Sequence, residues 1–287
     1  MTDLASLVRS RRAKLGRRVA KIRGNGAFPA FLVLGGQRCG TTSLFSHLSR
    51  HPAVGSPFRK EIRFFDSETY ARGERFYRTF FPSPERMARR GESITGEASP
   101  NYVFFPLAAE RIARMLPEAR FIVLLRDPVV RAWSHHAMHA SRGREPLSFE
   151  DAIGAEEGRL AGEVERLLAD PTYVPTRYFR YSYLARGDYA PQLERWFDYV
   201  DRERIHVIVS EELFTDRDRC LRKLEEFLGL PHWEGDDEPD KRHAIGGGAA
   251  GMAPETRVEL RAYFAPRIRR TEELLGRELP WGRQPRG

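Results

Sequence analysis

The chain has 287 residues, 41% of them hydrophobic, and a formal net charge of +8. That apolar content supports one large α/β domain and argues against global disorder. Two cysteines make no disulfide framework, and no apolar run reaches the 18 residues of a membrane span. The surplus of Lys and Arg favours an acidic partner: nucleic acid, an anionic membrane, a polyanion or a phosphorylated cofactor.

Residues 1–26 are strongly basic, with Leu4, Val8, Leu15, Val19 and Ile22 near one helical face. They read as a basic N-terminal helix ahead of a single domain over 27–287. Such a helix either touches an acidic membrane or packs its apolar stripe on the domain, and the second reading is favoured. The stretch lacks the apolar core of a secretory signal, so a cytoplasmic, at most membrane-peripheral, setting is expected.

Phe31 to Leu34 form a short apolar run, the pattern of a buried parallel strand. Gly35, Gly36 and Gly40 break it, and Thr41, Thr42 and Ser43 open a helix that Pro52 stops. A strand, a glycine turn and a helix N-terminus together present backbone N–H groups and a positive helix end to one anion. The Gly35–Gly40 spacing matches the first half of a Walker A loop, but Thr41 stands where that motif needs Lys. The cation lies inside the loop, at Arg38.

Phe58 to Asp66 reads as an extended segment, which would turn Lys60 and Glu61 to opposite faces. Ile62, Phe64 and Phe65 would keep Glu61 partly dry, as suits a base near neutral pH. Helical patterns follow over 70–83 and 107–115, with a strand and turn over 91–101 between them. Phe121 to Leu125 is the clearest strand, running into Arg126-Asp127-Pro128 and a helix through Ser134. Asp127 is placed to cap that helix and Pro128 to start it. Arg126 and Ser134 can meet a second anion at a strand's carboxyl end. His135, His136 and His139 lack zinc-site spacing, so no metal is expected.

Ser148 to Asp170 reads as one polar amphipathic helix. A helix through Leu193 and Trp196, a buried strand over 205–209 and a helix from Cys220 stopped by Gly229 come next. Lys241-Arg242-His243 leads into a glycine loop over 246–251, either a lid over a ligand or a plain connection. Pro254 to Leu275 is the last helix, with Trp281 folding back on the core. These pieces give an α/β fold: a P-loop-like central parallel sheet flanked by helices.

Taken together, the motifs resemble the sulfotransferases that use 3′-phosphoadenosine 5′-phosphosulfate (PAPS), nearest to the heparan sulfate sulfotransferases and their bacterial relatives. Gly35-Gly-Gln-Arg-Cys-Gly-Thr-Thr-Ser43, Lys60-Glu-Ile-Arg-Phe-Phe-Asp66 and Arg126-Asp-Pro with Arg131 and Ser134 carry the resemblance. Gly96 to Tyr102, Tyr189 to Trp196, and Leu274 to Gly276 with Trp281 are weaker echoes. The resemblance implies metal-independent sulfuryl transfer to an acceptor hydroxyl or amine, leaving the bisphosphate product PAP. It implies Glu61 as base and Arg38, where the family usually has Lys, as the cation at the leaving oxygen. Gln37, Arg38, Cys39, Gly40, Thr41, Thr42 and Ser43 would hold the 5′-phosphate, and Arg126 with Ser134 the 3′-phosphate. Lys241 and Arg242 fall where the family closes over the nucleotide. The acceptor stays open between a glycan, a lipid and a small natural product, with a slight tilt to carbohydrate and no nucleic acid. Two alternatives stand beside this reading. One is a P-loop kinase or NTPase, on the Gly35–Gly40 spacing and the strand ending at Asp127. The other is a non-enzymatic basic protein binding a polyanion or membrane through residues 1–26.

Overall fold

A computed structural model describes residues 24–235 and 251–281. Its centre is a five-stranded sheet in the order β2-β3-β1-β4-β5. The strands are β1 (Phe31–Gly35), β2 (Val54–Gly55), β3 (Ile94–Ala98), β4 (Arg120–Leu125) and β5 (Ile205–Val209). Every pairing is parallel, with Phe31 opposite Gly96 on one side and Arg120 on the other. Alternate residues serve two cores. Leu32, Leu34, Phe121, Val123 and Leu125 face the larger one, Phe31, Val33, Ile122, Leu124 and Ile208 the smaller. A sheet buried on both faces explains why its strands are near-continuous apolar runs.

Helices connect the strands on both faces. After β1 comes α1 (Thr41–Arg50). Between β2 and β3 lie α2 (Gly73–Arg78) and α3 (Pro84–Ala88), and α4 (Ala108–Met115) leads to β4. Beyond β4 run α5 (Pro128–Ala140), α6 (Phe149–Gly154), α7 (Glu156–Leu160), α8 (Glu163–Ala169), α9 (Thr176–Tyr181) and α10 (Tyr189–Phe197). After β5 come α11 (Ser210–Thr215), α12 (Arg217–Leu228) and α13 (Pro254–Leu275).

Several elements depart from the sequence reading. The helix expected over 70–83 is a 3-10 turn over Glu68–Arg72 followed by α2, because Gly73 takes a positive φ of 73° between them. The single helix expected over 148–170 is three, α6 to α8, the last capped by Gly162 at φ 73°. The segment over 58–66 is not extended: Glu61 and Arg63 are left-handed, at φ 52° and 56°. The residues 1–23, and with them nearly all the basic N-terminal helix, lie outside the described residues, as do 236–250 and 282–287.

The order of the sheet positions the site. From β1 the chain passes to β2 and β3 on one side, then returns to β4 and β5 on the other. Connections leaving β1 in opposite directions open a crevice at the carboxyl ends of β3, β1 and β4, where ligands bind in open α/β sheets.

Candidate active site

The loop after β1 has little freedom. At Gly35, φ is 135°, and an added Cβ would lie 2.4 Å from the Pro100 carbonyl oxygen. The Gly36 amide donates to the Leu124 carbonyl of β4 at 2.6 Å. Ser210 Oγ is 2.8 Å from both the Cys39 and the Leu125 carbonyl oxygens, fastening the loop to the end of β4. Gly40 is left-handed at φ 88° and begins α1 with no side-chain cap and no acidic residue in the first turn. The Thr41, Thr42 and Ser43 amides therefore start a helix whose positive end no side chain answers, a seat for an anion.

Three cationic side chains gather between this seat and the neighbouring turn from β4 into α5. Arg38 Nε donates to Ser134 Oγ at 2.9 Å, although 96 residues separate them. Arg126 Nη1 donates to the Arg38 carbonyl at 3.0 Å. Lys60 Nζ lies 2.5 Å from Thr42 Oγ1. Burial, then the charges of Arg126 and Arg142, push Arg38 below the usual guanidinium range. Arg38 as a residue is exposed, so the like charges count for more than burial. Among the described residues neither Arg38 nor Arg126 has a carboxylate partner, and crowded cations of this kind ask for a bound anion.

Arg126 is held through its backbone. Tyr189 Oη, on α10, donates to the Arg126 carbonyl at 2.7 Å. Asp127 caps α5 by accepting from the Val129 amide at 2.9 Å and also accepts from Arg261 Nη2 of α13 at 2.6 Å. Glu211 accepts from the Asp127 amide at 3.0 Å and from the Trp281 indole at 2.9 Å, so the end of the described chain folds onto this turn. Arg131 is fully buried and donates through Nη2 to the Tyr183 carbonyl.

The acidic segment enters from the β3 side. The Glu61 amide donates to the Ala98 carbonyl at the carboxyl end of β3, at 3.2 Å. Its carboxylate is exposed, which corrects the expectation of a partly dry base. The physical reason is the left-handed backbone at Glu61, which ends the alternation of an extended strand. The same change turns Lys60 toward the loop instead of away from it. Behind Glu61 lies Glu97, fully buried on β3 and pushed up to about 7 by burial against the opposing hydrogen bond of Tyr77.

Beyond Arg38 the charge stays positive. Around His139, Arg180, Arg144, Arg142 and Arg186 act in that order, after burial, to push it down to about 4. None of these four arginines has a carboxylate partner among the described residues.

Gln37 to Ser43, Arg126, Ser134 and Glu61 thus gather at one sheet edge, while Lys241 and Arg242 lie outside the described residues. The sequence reading gave no role to Ser210, Tyr189, Glu97, Arg142 or Arg261. Only Glu97 carried a visible signal, a lone carboxylate inside a strand, whose neighbours in a parallel sheet are buried on both faces. No helix of the described residues is long and apolar enough to cross a membrane, and no group of three or more metal-type side chains occurs among them.

The family described as Sulfotransferase domain matches residues 28–243. The human bifunctional heparan sulfate N-deacetylase/N-sulfotransferase 3 is 34% identical over 214 residues, 71% of this chain and 23% of that protein. The corresponding Drosophila melanogaster protein is 29% identical over 227 residues, 74% of this chain and 20% of its own length. The chain therefore spans under a quarter of these curated relatives. A sulfotransferase from Alicyclobacillus acidocaldarius is 33% identical, with a TM-score of 0.64 over 88% of this chain and 98% of that one.

Proposed function

The chain belongs to the sulfotransferase domain family, and on that premise we propose that it moves a sulfuryl group from PAPS to an amine or hydroxyl of an acidic glycan. One observation carries the reading: Arg38, Arg126 and Ser134 converge beside an uncapped helix N-terminus. Two anion seats at neighbouring strand ends suit a nucleotide phosphorylated at both its 5′ and 3′ positions.

PAPS as substrate supplies an activated sulfuryl group. The residues divide the remaining work. The first amides of α1, with the Thr41 and Thr42 hydroxyls, hold the 5′-phosphate, and Arg126 with Ser134 holds the 3′-phosphate. Glu61 takes the proton of the acceptor amine or hydroxyl. As the new bond to sulfur forms, the bond between sulfur and the bridging oxygen breaks, and its electron pair leaves on the phosphate. Arg38, which donates to Ser134, and Lys60, beside Thr42, are the cations assigned to that developing charge. Beyond that proton transfer, positioning and fixed charge do the rest, and no metal is called for.

Arg142, Arg144 and Arg180, none of them paired with a carboxylate among the described residues, favour an acceptor that carries carboxylates or sulfates, a choice consistent with heparan sulfate in the relatives' names. A lipid or small natural product does not need so long a cationic margin. We place the enzyme in the cytoplasm, where its free cysteines Cys39 and Cys220 stay reduced, with membrane contact left to the basic first residues.

The NTPase reading loses its metal ligand, because both Asp127 carboxylate oxygens are engaged, by the α5 amides and by Arg261. Calorimetry with PAP and ADP tests the donor class. Tight PAP and weak ADP binding are expected, and equal affinities would overturn the assignment.

A further inference from the structure

We propose that Glu97 is a positioning residue for the transfer reaction, holding the Glu61–Phe65 segment through the hydroxyls of Ser99 and Tyr102. The inference rests on the sulfotransferase reading, which places Glu61 at the reacting acceptor. It begins with the backbone of that segment. Glu61 and Arg63 sit at φ 52° and 56°, a left-handed conformation that is strained for non-glycine residues and needs holding. Three successive anchors hold it. The Ala98 carbonyl accepts from the Glu61 amide at 3.2 Å, Ser99 Oγ from the Arg63 amide at 3.2 Å, and Tyr102 Oη from the Phe64 amide at 2.9 Å.

A hydroxyl can turn either its proton or a lone pair toward a neighbour, so two of these anchors need a further partner. Glu97 is that partner. Ser99 Oγ donates to its Oε2 at 2.8 Å, and Tyr102 Oη donates to the carboxylate at 3.3 and 3.4 Å. Tyr77 of α2 donates to Oε1 at 2.6 Å. An ionised carboxylate only accepts, so it fixes both hydroxyl protons inward and leaves the lone pairs for the amides of the segment. Glu97 is fully buried, out of reach of any acceptor, so its effect on chemistry runs through Glu61.

The groups facing Glu97 are Tyr77, Ser99, Tyr102 and the Asp66 carboxylate, itself paired with Arg63 at 3.0 Å. With burial pushing Glu97 to about 7, its protonation removes one inward acceptor and frees a hydroxyl to rotate. Activity should therefore decline as pH falls through about 7.

The test uses Glu97→Gln and, as a gentler change, Ser99→Ala, with labelled sulfuryl transfer from PAPS to N-desulfated heparan. Wild-type transfer and PAP binding report on the parent reading; the variants report on Glu97. Both variants are expected to lose at least tenfold in kcat, with KM for PAPS and PAP affinity within threefold. Glu97→Gln should also lose the acid limb near pH 7. Hydrogen exchange should quicken at the Arg63 and Phe64 amides in Glu97→Gln and stay unchanged at Val123 and Leu124 of β4. A kcat that survives in Ser99→Ala, or a loss of kcat matched by an equal loss of PAP affinity in both variants, overturns the proposal. If Glu97→Gln does not fold, Ser99→Ala decides.

Discussion

Arginine at position 38 changes how the cations share their work. A guanidinium stays protonated and binds oxygens in a planar fork, so it stabilises charge but gives up no proton. Here that fork is turned partly to Ser134, and Lys60 approaches the loop from a separate segment, at Thr42. Lysine can donate where arginine cannot. Lys60→Met is therefore expected to lower kcat by 10- to 100-fold, and Lys60→Arg to recover phosphate binding without recovering kcat. A Lys60→Arg enzyme of wild-type kcat would show that charge alone matters at that position. Glu61→Gln should lower kcat by at least 100-fold while leaving PAP affinity within threefold, read by transfer assay and calorimetry on the same preparation. Loss of PAP binding with turnover intact would contradict its role as base.

Among the elements, the turn from β4 into α5 holds the second anion seat. Asp127 caps α5, and a lost cap costs about 1 kcal/mol. Its pair with Arg261 is partly exposed, so screening leaves it smaller than the cap. Asp127→Ala should then lower the melting temperature by about 2–4 °C and weaken PAP binding, because Arg126 loses its fixed turn. Asp127→Asn keeps an accepting oxygen and should do less of both; equal losses in the two variants would mean that the Arg261 pair, not the cap, sets the geometry. This turn was legible in the sequence because an apolar run, an acid and a proline each act locally. The loop after β1 was legible for the same reason, its glycines marking where the backbone must bend. The helix boundaries within 148–170 were not, since amphipathic spacing runs on through Gly154 and Gly162 while the backbone turns at them. Nor was the facing of Glu61. Its left-handed conformation is imposed by Ser99, Tyr102 and Ala98, residues more than 30 positions away, and no local pattern announces such a contact.

At the scale of the whole molecule, buried titrating groups set how stability follows pH. His139 and His206 are pushed down to about 4, chiefly by burial, and His135 well below its usual range. Each stays neutral in the fold while the unfolded chain gains a proton below about 6.5. Between pH 6.5 and 4 the unfolded state therefore binds more protons, and stability falls as pH falls, by at most about 1.4 kcal/mol per pH unit for each histidine. Glu97 works the other way. Its folded value near 7 lies above the unfolded one near 4.5, so the fold holds the extra proton between them and its stabilisation is lost as pH rises through 7. Asp66, Glu156 and Asp188 are raised by burial and act in the same sense as Glu97, but His47 is also pushed down to about 4, and the four histidines together should outweigh the carboxyls, so the melting temperature should climb from pH 4.5 to about 6.5 and then level or dip slightly toward 7.5. His206 lies on β5 with its ring stacked on Phe227, away from the crevice, so His206→Gln isolates the effect. Calorimetric melts at pH 4.5 and 6.5 should show a smaller difference in that variant than in the wild type, with transfer activity at pH 7.5 unchanged. An identical pH slope would mean that His206 is protonated in the folded state and that acid sensitivity resides in His47, His135 and His139, the last two beside the cations of the site.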